Sequence, residues 1–344
     1  MRDHGPGSCA SCGVADCSMS YRAQGRRGRS GMTAWVLDEV WPEYREFIAA
    51  RMRPDDQLLA PGIAGRPGLA RYTWNLPITH GADWATLGRH LSMRWVRDRP
   101  GRDRQQAYLH HDGRVAAALA RRLDYHAAHL VIEQSFLPWF AASGLLGGRS
   151  YDVLMTRYPL GTLHQKLDAV AAECGASPTI ADYRADAALA EAEARALDGA
   201  AGIVTPHHGI AALFPGKALL LDWKIAMPKG PAIGRRVGFL GPTVARQGAY
   251  LVREMARDLS SPLIVFGNDL EGGDFWKGVE IERRSFGPEW LGDIGAILHP
   301  AAMTNQPRRL LRAYEQGVRI YATPGSGLDP RHYLPLWEFS EVSG

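Results

Sequence analysis

The stretch that decides the fold is Arg236-Val-Gly-Phe-Leu-Gly-Pro-Thr-Val-Ala-Arg-Gln-Gly248, with the residues that follow it to Leu328. A short apolar run ends in a glycine- and proline-bearing turn, and a helix-period segment comes next. The pattern recurs at Leu263-Ile-Val-Phe, Val279-Glu-Ile, Ile294-Gly-Ala-Ile-Leu and Val318-Arg-Ile-Tyr-Ala. Each run is too short for a helix and most are rich in β-branched or aromatic residues, so they predict buried parallel strands with covering helices. The turns Gly241-Pro-Thr, Gly267-Asn-Asp, His299-Pro and Thr323-Pro-Gly-Ser-Gly close these strands. In open α/β sheets ligands bind at the carboxyl ends of strands, so these turns are expected to form one ligand face.

Upstream, the alternation is repeated less cleanly. Leu58-Leu-Ala-Pro-Gly-Ile-Ala-Gly-Arg-Pro-Gly is an apolar run with a glycine-rich turn, and Trp35 to Met52 reads as strand-turn or helix. Asp112-Gly-Arg-Val-Ala-Ala-Ala-Leu-Ala-Arg-Arg-Leu predicts a helix capped by Asp112. Leu130-Val-Ile-Glu and Tyr151-Asp-Val-Leu-Met flank the helix-like Phe136 to Leu146. Ser177 to Leu197, alanine- and acid-rich, predicts another helix, followed by the strands Gly202-Ile-Val-Thr and Ala218-Leu-Leu-Leu. The region Thr73 to His111, with three tryptophans and many arginines, shows no clean period.

The C-terminal third resembles the nucleotide-sugar-binding domain of GT-B glycosyltransferases, the large retaining family that includes sucrose and glycogen synthases. The match lies in Arg236 to Gly248 as first strand and glycine loop, Leu263-Ile-Val-Phe-Gly-Asn as second strand, and Ile297-Leu-His-Pro with Pro307 to Thr323 as strand, helix and strand. The resemblance implies an α/β fold of two Rossmann-like domains facing a cleft, with 32–228 on the acceptor side, 229–344 on the donor side, and a boundary near Pro228. It implies a donor site at Gly241, Thr243, Arg246, Gly267, Asn268, Thr304, Asn305 and Arg308. It also implies that Asp329-Pro-Arg-His-Tyr leads a tail back over the first domain.

The departures are specific. Where the family carries Glu-x7-Glu, this chain has Thr304 and Arg312. Its phosphate-neutralising Arg and Lys correspond to Pro242 and Gln247, leaving Arg246 as the nearby guanidinium suited to bidentate phosphate contact. The activity implied is transfer of a sugar from a nucleotide diphosphate sugar to a polysaccharide or natural-product acceptor. The alternative is a catalytically silent protein of the same fold that binds a ligand or partner. His207 and His208 follow the strand ending at Thr205, which places an imidazole on the ligand side to orient or deprotonate an acceptor hydroxyl. No Walker loop, H-E-x-x-H or Asp-x-Asp motif is visible, which argues against a phosphate-loop NTPase, a zinc hydrolase or a metal-dependent transferase.

Cys9, Cys12 and Cys17 form a C-x2-C-x4-C cluster in residues 1–31, a cysteine-rich leader that runs into a basic linker. Thiols this dense predict a zinc or iron–sulfur centre, with Cys174 as fourth ligand and His4 as the next candidate. The other reading is an unligated leader. The net charge of +4 rests on arginine, since only five of 40 basic residues are lysine, and it is too mild to suggest nucleic acid. It leaves room for peripheral contact with an anionic membrane. No apolar run reaches the roughly 18 residues of a spanning helix, and the leader has no apolar signal-peptide core, so the expected compartment is the cytoplasm.

Overall fold

Every strand pairing among the described residues is parallel. The computed structural model describes residues 31–62, 72–74, 76, 80–96, 101–228, 230–232 and 234–339. They fall into two compact units. The first holds residues up to Gly161 with Tyr183–Thr205 and Phe214–Asp222; the second holds Thr162–Asp182, Pro206–Leu213 and the chain from Trp223.

The first unit's sheet comprises β1 (Met32–Val36), β2 (Gln57–Ala60), β3 (His80–Gly81), β4 (Ala127–Glu133), β5 (Ser150–Leu154), β6 (Gly202–Thr205) and β7 (Ala218–Leu220), in the order β3-β2-β1-β4-β5-β6-β7. The helices along this part of the chain are α1 (Pro42–Ala49), α2 (Asp83–Trp95), α3 (Gly101–Ala120), α4 (Leu137–Ala142), α5 (Leu160–Cys174), α6 (Ala187–Gly199) and α7 (His208–Ala211). From Thr162 onward, α5 belongs to the second unit, as does α7. The second unit's sheet is β8 (Arg236–Phe239), β9 (Leu263–Phe266), β10 (Ile281–Arg284), β11 (Ile294–His299), β12 (Arg319–Ala322) and β13 (Leu334–Pro335), ordered β10-β9-β8-β11-β12-β13. Its helices are α8 (Ala249–Met255) and α9 (Arg308–Glu315).

Both sheets run outward from their first strand in one direction and then in the other, which is doubly wound, Rossmann-type topology. The strand order reverses between β1 and β4 in one unit and between β8 and β11 in the other. Central strands are buried along their whole length, as β4, β9 and β11 are, which is why the apolar runs without alternation read correctly. Phe239, Val265, Leu298, Tyr321 and Trp276 form the core on one face of the second sheet.

Four expectations need correction. Ser177 to Leu197 is not one helix: α6 begins at Ala187, and the residues before it make turns in which Ser177 and Thr179 bond Glu271 and Tyr183 adopts a φ of 67°. Asp112 caps nothing, because α3 starts eleven residues earlier at Gly101 and turns the Asp112 carboxylate to Arg89. The strand expected at Val279 is β10, displaced to Ile281–Arg284, an edge strand whose polar residues pair with one another. The tail after Asp329 adds β13 to the edge of the second sheet, pairing Tyr321 with Leu334, so through residue 339 it groups with this unit.

Candidate functional site

The second unit's topological switch point is built from small residues. After β8 the chain turns through Gly241, whose φ is 24° and where a Cβ would lie 1.8 Å from the Phe266 carbonyl oxygen, so only glycine fits. Gly248 opens α8 in the left-handed region at φ 76°, and a Cβ there would meet the Pro300 carbonyl oxygen at 2.3 Å. The ends of β8 and β11 therefore approach each other backbone to backbone. Ala302 N–H donates to the Arg246 carbonyl at 3.0 Å, and Thr304 N–H donates to the Gly325 carbonyl at 2.8 Å.

Around this junction lies a pocket of about 750 Å³. Its floor is Pro300–Ala302 and Thr323–Gly325; Ala245, Gly248 and Tyr250 form one wall and Lys166, Glu173 and Cys174 of α5 the other. Lys166 Nζ donates to the Ala302 carbonyl at 3.2 Å, and burial lowers its pKa. Glu271 holds two of the lining residues, Ala245 and Tyr250, as a carboxylate clasp. Its Oε1 accepts from Ala245 N–H at 2.7 Å, Ser177 Oγ at 3.1 Å and Thr179 Oγ1, and its Oε2 accepts from the Tyr250 hydroxyl at 3.0 Å. Burial, then the bond to Glu271, pushes the Tyr250 phenol up to about 12.

None of the residues expected to hold a donor lines this pocket. Thr243 is fully buried: its Oγ1 donates to Asp269 Oδ1 at 2.8 Å and its backbone N–H donates to the Asn268 carbonyl at 3.0 Å, close to Gly267. Arg246 is half-buried and its charge reaches His299. Thr304 and Asn305 are half-buried past the end of β11, and the Arg308 guanidinium lies 5.3 Å from the Trp223 ring centroid. The pocket-lining Lys166, Glu173, Tyr250 and Gly248 were not singled out by sequence. The turns Thr323-Pro-Gly-Ser-Gly and His299-Pro signalled this location.

His207 is buried and fully engaged. Its Nδ1 accepts from Ile210 N–H at 3.1 Å, so Nε2 carries the proton and donates to the Thr304 carbonyl at 3.0 Å. Burial lowers its pKa to about 4, against a partial gain from that bond. Both nitrogens are spent on structure, so the expected acid–base role finds no free atom on His207. His208 is half-exposed, with Nε2 3.7 Å from Asp329 Oδ2. The Arg331 side chain bonds Asp329 and holds its carboxyl well below the usual range. His299, also driven to about 4 by burial and then by Arg246, pairs its Nε2 with Thr304 Oγ1 at 2.8 Å.

Cys9, Cys12 and Cys17, and His4, lie outside the described residues. Cys174 is a half-buried free thiol whose pKa burial raises, the opposite of an activated thiolate, and no group of three or more metal-binding side chains occurs among the described residues.

The first unit's switch point is occupied differently. Arg89 of α2 grips Asp38, just past β1, through two bonds at 2.5 and 3.1 Å, and Asp112 of α3 at 2.8 Å. Asp38 N–H donates to Glu133 Oε2 at the end of β4, and Ser135 Oγ donates to Asp38 Oδ2 at 3.1 Å. Burial, followed by repulsion from Asp38, raises the Glu133 carboxyl well above its ordinary value. Burial raises Asp112 to about 6 although Arg89 pulls the other way.

Two doubly wound α/β units in one chain, the second with a small-residue pocket at its switch point, define the class. No known protein family and no curated protein matches the sequence. Among solved structures, it is similar to the apo form of lipopolysaccharide outer core galactosyltransferase WaaB at 9% identity, covering 88% of this chain and 84% of that one with a TM-score of 0.46. It is similar to Anabaena Alr3699/HepE in complex with UDP and glucose at 10% identity, covering 85% and 80% with a TM-score of 0.44. LpCGTa in complex with UDP aligns at 13% identity over 86% and 80% of the chains, with a TM-score of 0.41. No residue role is transferred from these proteins. No helix among the described residues is long and apolar enough to cross a membrane.

Proposed function

We propose that the chain is a GT-B-type glycosyltransferase that takes a nucleotide diphosphate sugar in the second unit's pocket and passes the sugar to a saccharide or small-molecule acceptor. The observation that carries this reading is the pocket itself: about 750 Å³ at the point where the strand order reverses, floored by backbone and lined by the Lys166 ammonium together with the Glu173 and Glu254 carboxylates. Open α/β sheets bind nucleotides at such points. Transfer builds positive charge on the sugar carbon and negative charge on the departing diphosphate. Catalysis is then chiefly positioning and stabilisation of that anion.

In this reading Lys166 and Arg246 supply the cationic field and the backbone of Pro300–Ala302 and Thr323–Gly325 shapes the sugar site. The missing carboxylate pair leaves Thr304 and Asn305 as neutral hydrogen-bonding groups beside it. Acid–base work falls to His208, oriented by Asp329, because His207 has no nitrogen to offer. Titration calorimetry with UDP-, GDP- and TDP-sugars tests the proposal. Binding of one donor, weakened at least tenfold by Lys166→Ala, supports it; no heat from any of them favours the silent binding protein instead. A separate proposal is the ligand set Cys9, Cys12, Cys17 and Cys174: iron or zinc in stoichiometric amount in the purified chain supports it, and absence of both removes it.

A further inference from the structure

A second pocket, of about 350 Å³, opens at the other end of β12. Thr323 follows the carboxyl end of this strand and lines the larger pocket, whereas Arg319 and Ile320 at its amino end line the smaller one. The strand between them spans roughly 13 Å. Backbone holds the walls. Gly317 sits at φ 76°, where a Cβ would lie 1.7 Å from the Gly230 carbonyl oxygen, and Ala232 N–H donates to the Gly317 carbonyl at 3.1 Å. These contacts clamp Gly230 and Pro231 against the turn after α9. On the other side β13 pairs with β12 at Leu334 and Tyr321, and the short turn Pro330–His332 before it is capped by Asp329, whose Oδ1 accepts from Arg331 N–H at 2.9 Å.

The lining is aromatic and its charge has one sign. The Tyr314 and His332 rings stand 4.6 Å apart and Tyr333 adds a third ring, with Pro228 and Pro231 as further apolar faces. Burial lowers the His332 pKa, so that ring is neutral at pH 7, and its Nδ1 has no hydrogen-bond partner among the described residues. No Asp or Glu lines the pocket, but Arg319 and Arg331 do. The two guanidiniums differ. Arg331 is committed to Asp329 through Nε and an Nη at 2.5 to 3.1 Å. Arg319 is exposed and makes no hydrogen bond or ion pair with a described residue. Glu315, the nearest carboxylate in sequence, accepts from Ala226 N–H at 2.8 Å. Small-molecule sites begin at about 300 Å³ and are mostly apolar with a few placed polar groups. A volume near that lower bound suits a body of one ring or two, and an unpaired guanidinium is matched by a carboxylate, which it can hold through two parallel bonds.

We propose that this pocket is a second ligand site, for a small aromatic carboxylate whose ring lies among Tyr314, His332 and Tyr333 and whose carboxylate meets Arg319. The site lies within the second unit and is independent of the sugar-transfer reading. The test is saturation-transfer NMR with titration of the full chain by benzoate, salicylate and cinnamate, each beside its uncharged amide. The expected result is that at least one acid binds with a Kd of about 1 mM or tighter, at least tenfold tighter than its amide. Arg319→Ala and Leu334→Glu, both at exposed positions that line the pocket, should each weaken the acid at least tenfold, and thermal melts establish that both variants fold. Lys166→Ala, in the larger pocket, should leave the acid's affinity unchanged. Absence of binding by all three acids overturns the proposal, as does equal affinity for acid and amide or wild-type affinity in Arg319→Ala. So does loss of binding in Lys166→Ala with retention in Arg319→Ala, which would place the acid in the larger pocket.

Discussion

Acidification should unfold the second unit, and the histidines the sequence brought forward as chemistry are the reason. His207 and His299 are buried, neutral and lowered to about 4, whereas in an unfolded chain each titrates near 6.5. Between these values the unfolded state binds more protons than the folded one, so stability is fully present above about 6.5 and is lost as pH falls toward 4. From pH 7 to pH 5 each histidine costs about 2 kcal/mol, together about 4 kcal/mol. Asp112 in the first unit works with the opposite sign. Raised to about 6, it gives stability that is present at low pH and lost as pH rises through 6, so the first unit gains about 1 kcal/mol over the same acid step. Urea unfolding followed by hydrogen exchange on peptides from 294–305 and from 127–133 reads the units separately. His207→Asn keeps a side-chain oxygen to accept from Ile210 N–H, removes the titration, and loses the bond to the Thr304 carbonyl. It should cost about 1 kcal/mol at neutral pH and halve the acid loss in the second unit. A second unit that loses under about 1 kcal/mol by pH 5, or a His207→Asn variant with the wild-type slope, refutes the reasoning.

Arg89→Leu leaves Asp38 and Asp112 buried without their cation and should cost about 3–5 kcal/mol at neutral pH, a fall of roughly 10 °C in the first unit's Tm by calorimetry, with a smaller cost in acid. Gly248→Val forces a side chain into a φ of 76° and onto the Pro300 carbonyl, so it should destabilise the second unit by about 2 kcal/mol or more in urea melts and abolish donor binding by calorimetry. Glu271→Ala strips the acceptor from Ala245 N–H and the Tyr250 hydroxyl, costing about 1–3 kcal/mol. It should raise proteolysis in 175–182 and bring the Tyr250 titration down from about 12 in ultraviolet absorbance.

How much of this was legible depended on where each segment sits. Leu263–Phe266 and Ile294–His299 are buried on both faces, so their composition alone marks them as parallel strands. Ile281–Arg284 is at a sheet edge, where Glu282, Arg283 and Arg284 pair with one another and with Asp269 and Asp293, and its apolar content no longer marks it. Helix α2 resisted reading because its apolar stripe faces outward and its inward face carries an arginine. A periodicity rule assigns the apolar side to the core and so finds no coherent helix there. Asp112 looked like a cap since the clean helix period begins only after it, although the Pro100-Gly101 pair marks the true start of α3; its partner is Arg89, twenty-three residues away. Lys166 has no sequence signal at all; only the fold brings α5 to the ends of β8, β11 and β12.

The two units answer one topological question in opposite ways, and that contrast locates the chemistry. Each sheet reverses direction at a point where two neighbouring strands send their following loops apart and leave a crevice. In the first unit the crevice is filled from within: Asp38 and Glu133 follow β1 and end β4, and Arg89 neutralises them while Trp74 Nε1 donates to the Asp38 carbonyl at 3.0 Å. A ligand there would have to displace a buried arginine and face carboxylates already held in a poor dielectric, which is unfavourable for any anion. In the second unit the corresponding loops offer Gly241, Gly248, Ala301 and Ala302, residues too small to fill the space, and the charge nearest the floor is the Lys166 ammonium. Glu173 and Glu254 line the walls, and a third carboxylate, Glu271, stands beside the pocket, where Ala245 N–H and three hydroxyls satisfy it. An anionic ligand that seats against the Lys166 ammonium and the backbone floor, away from Glu173 and Glu254, is therefore expected in the second unit rather than in the first. Phosphate-containing donors should protect Tyr250 and Lys166 from chemical modification and leave the reactivity of the first unit's side chains unchanged; protection of first-unit residues instead would reverse the assignment.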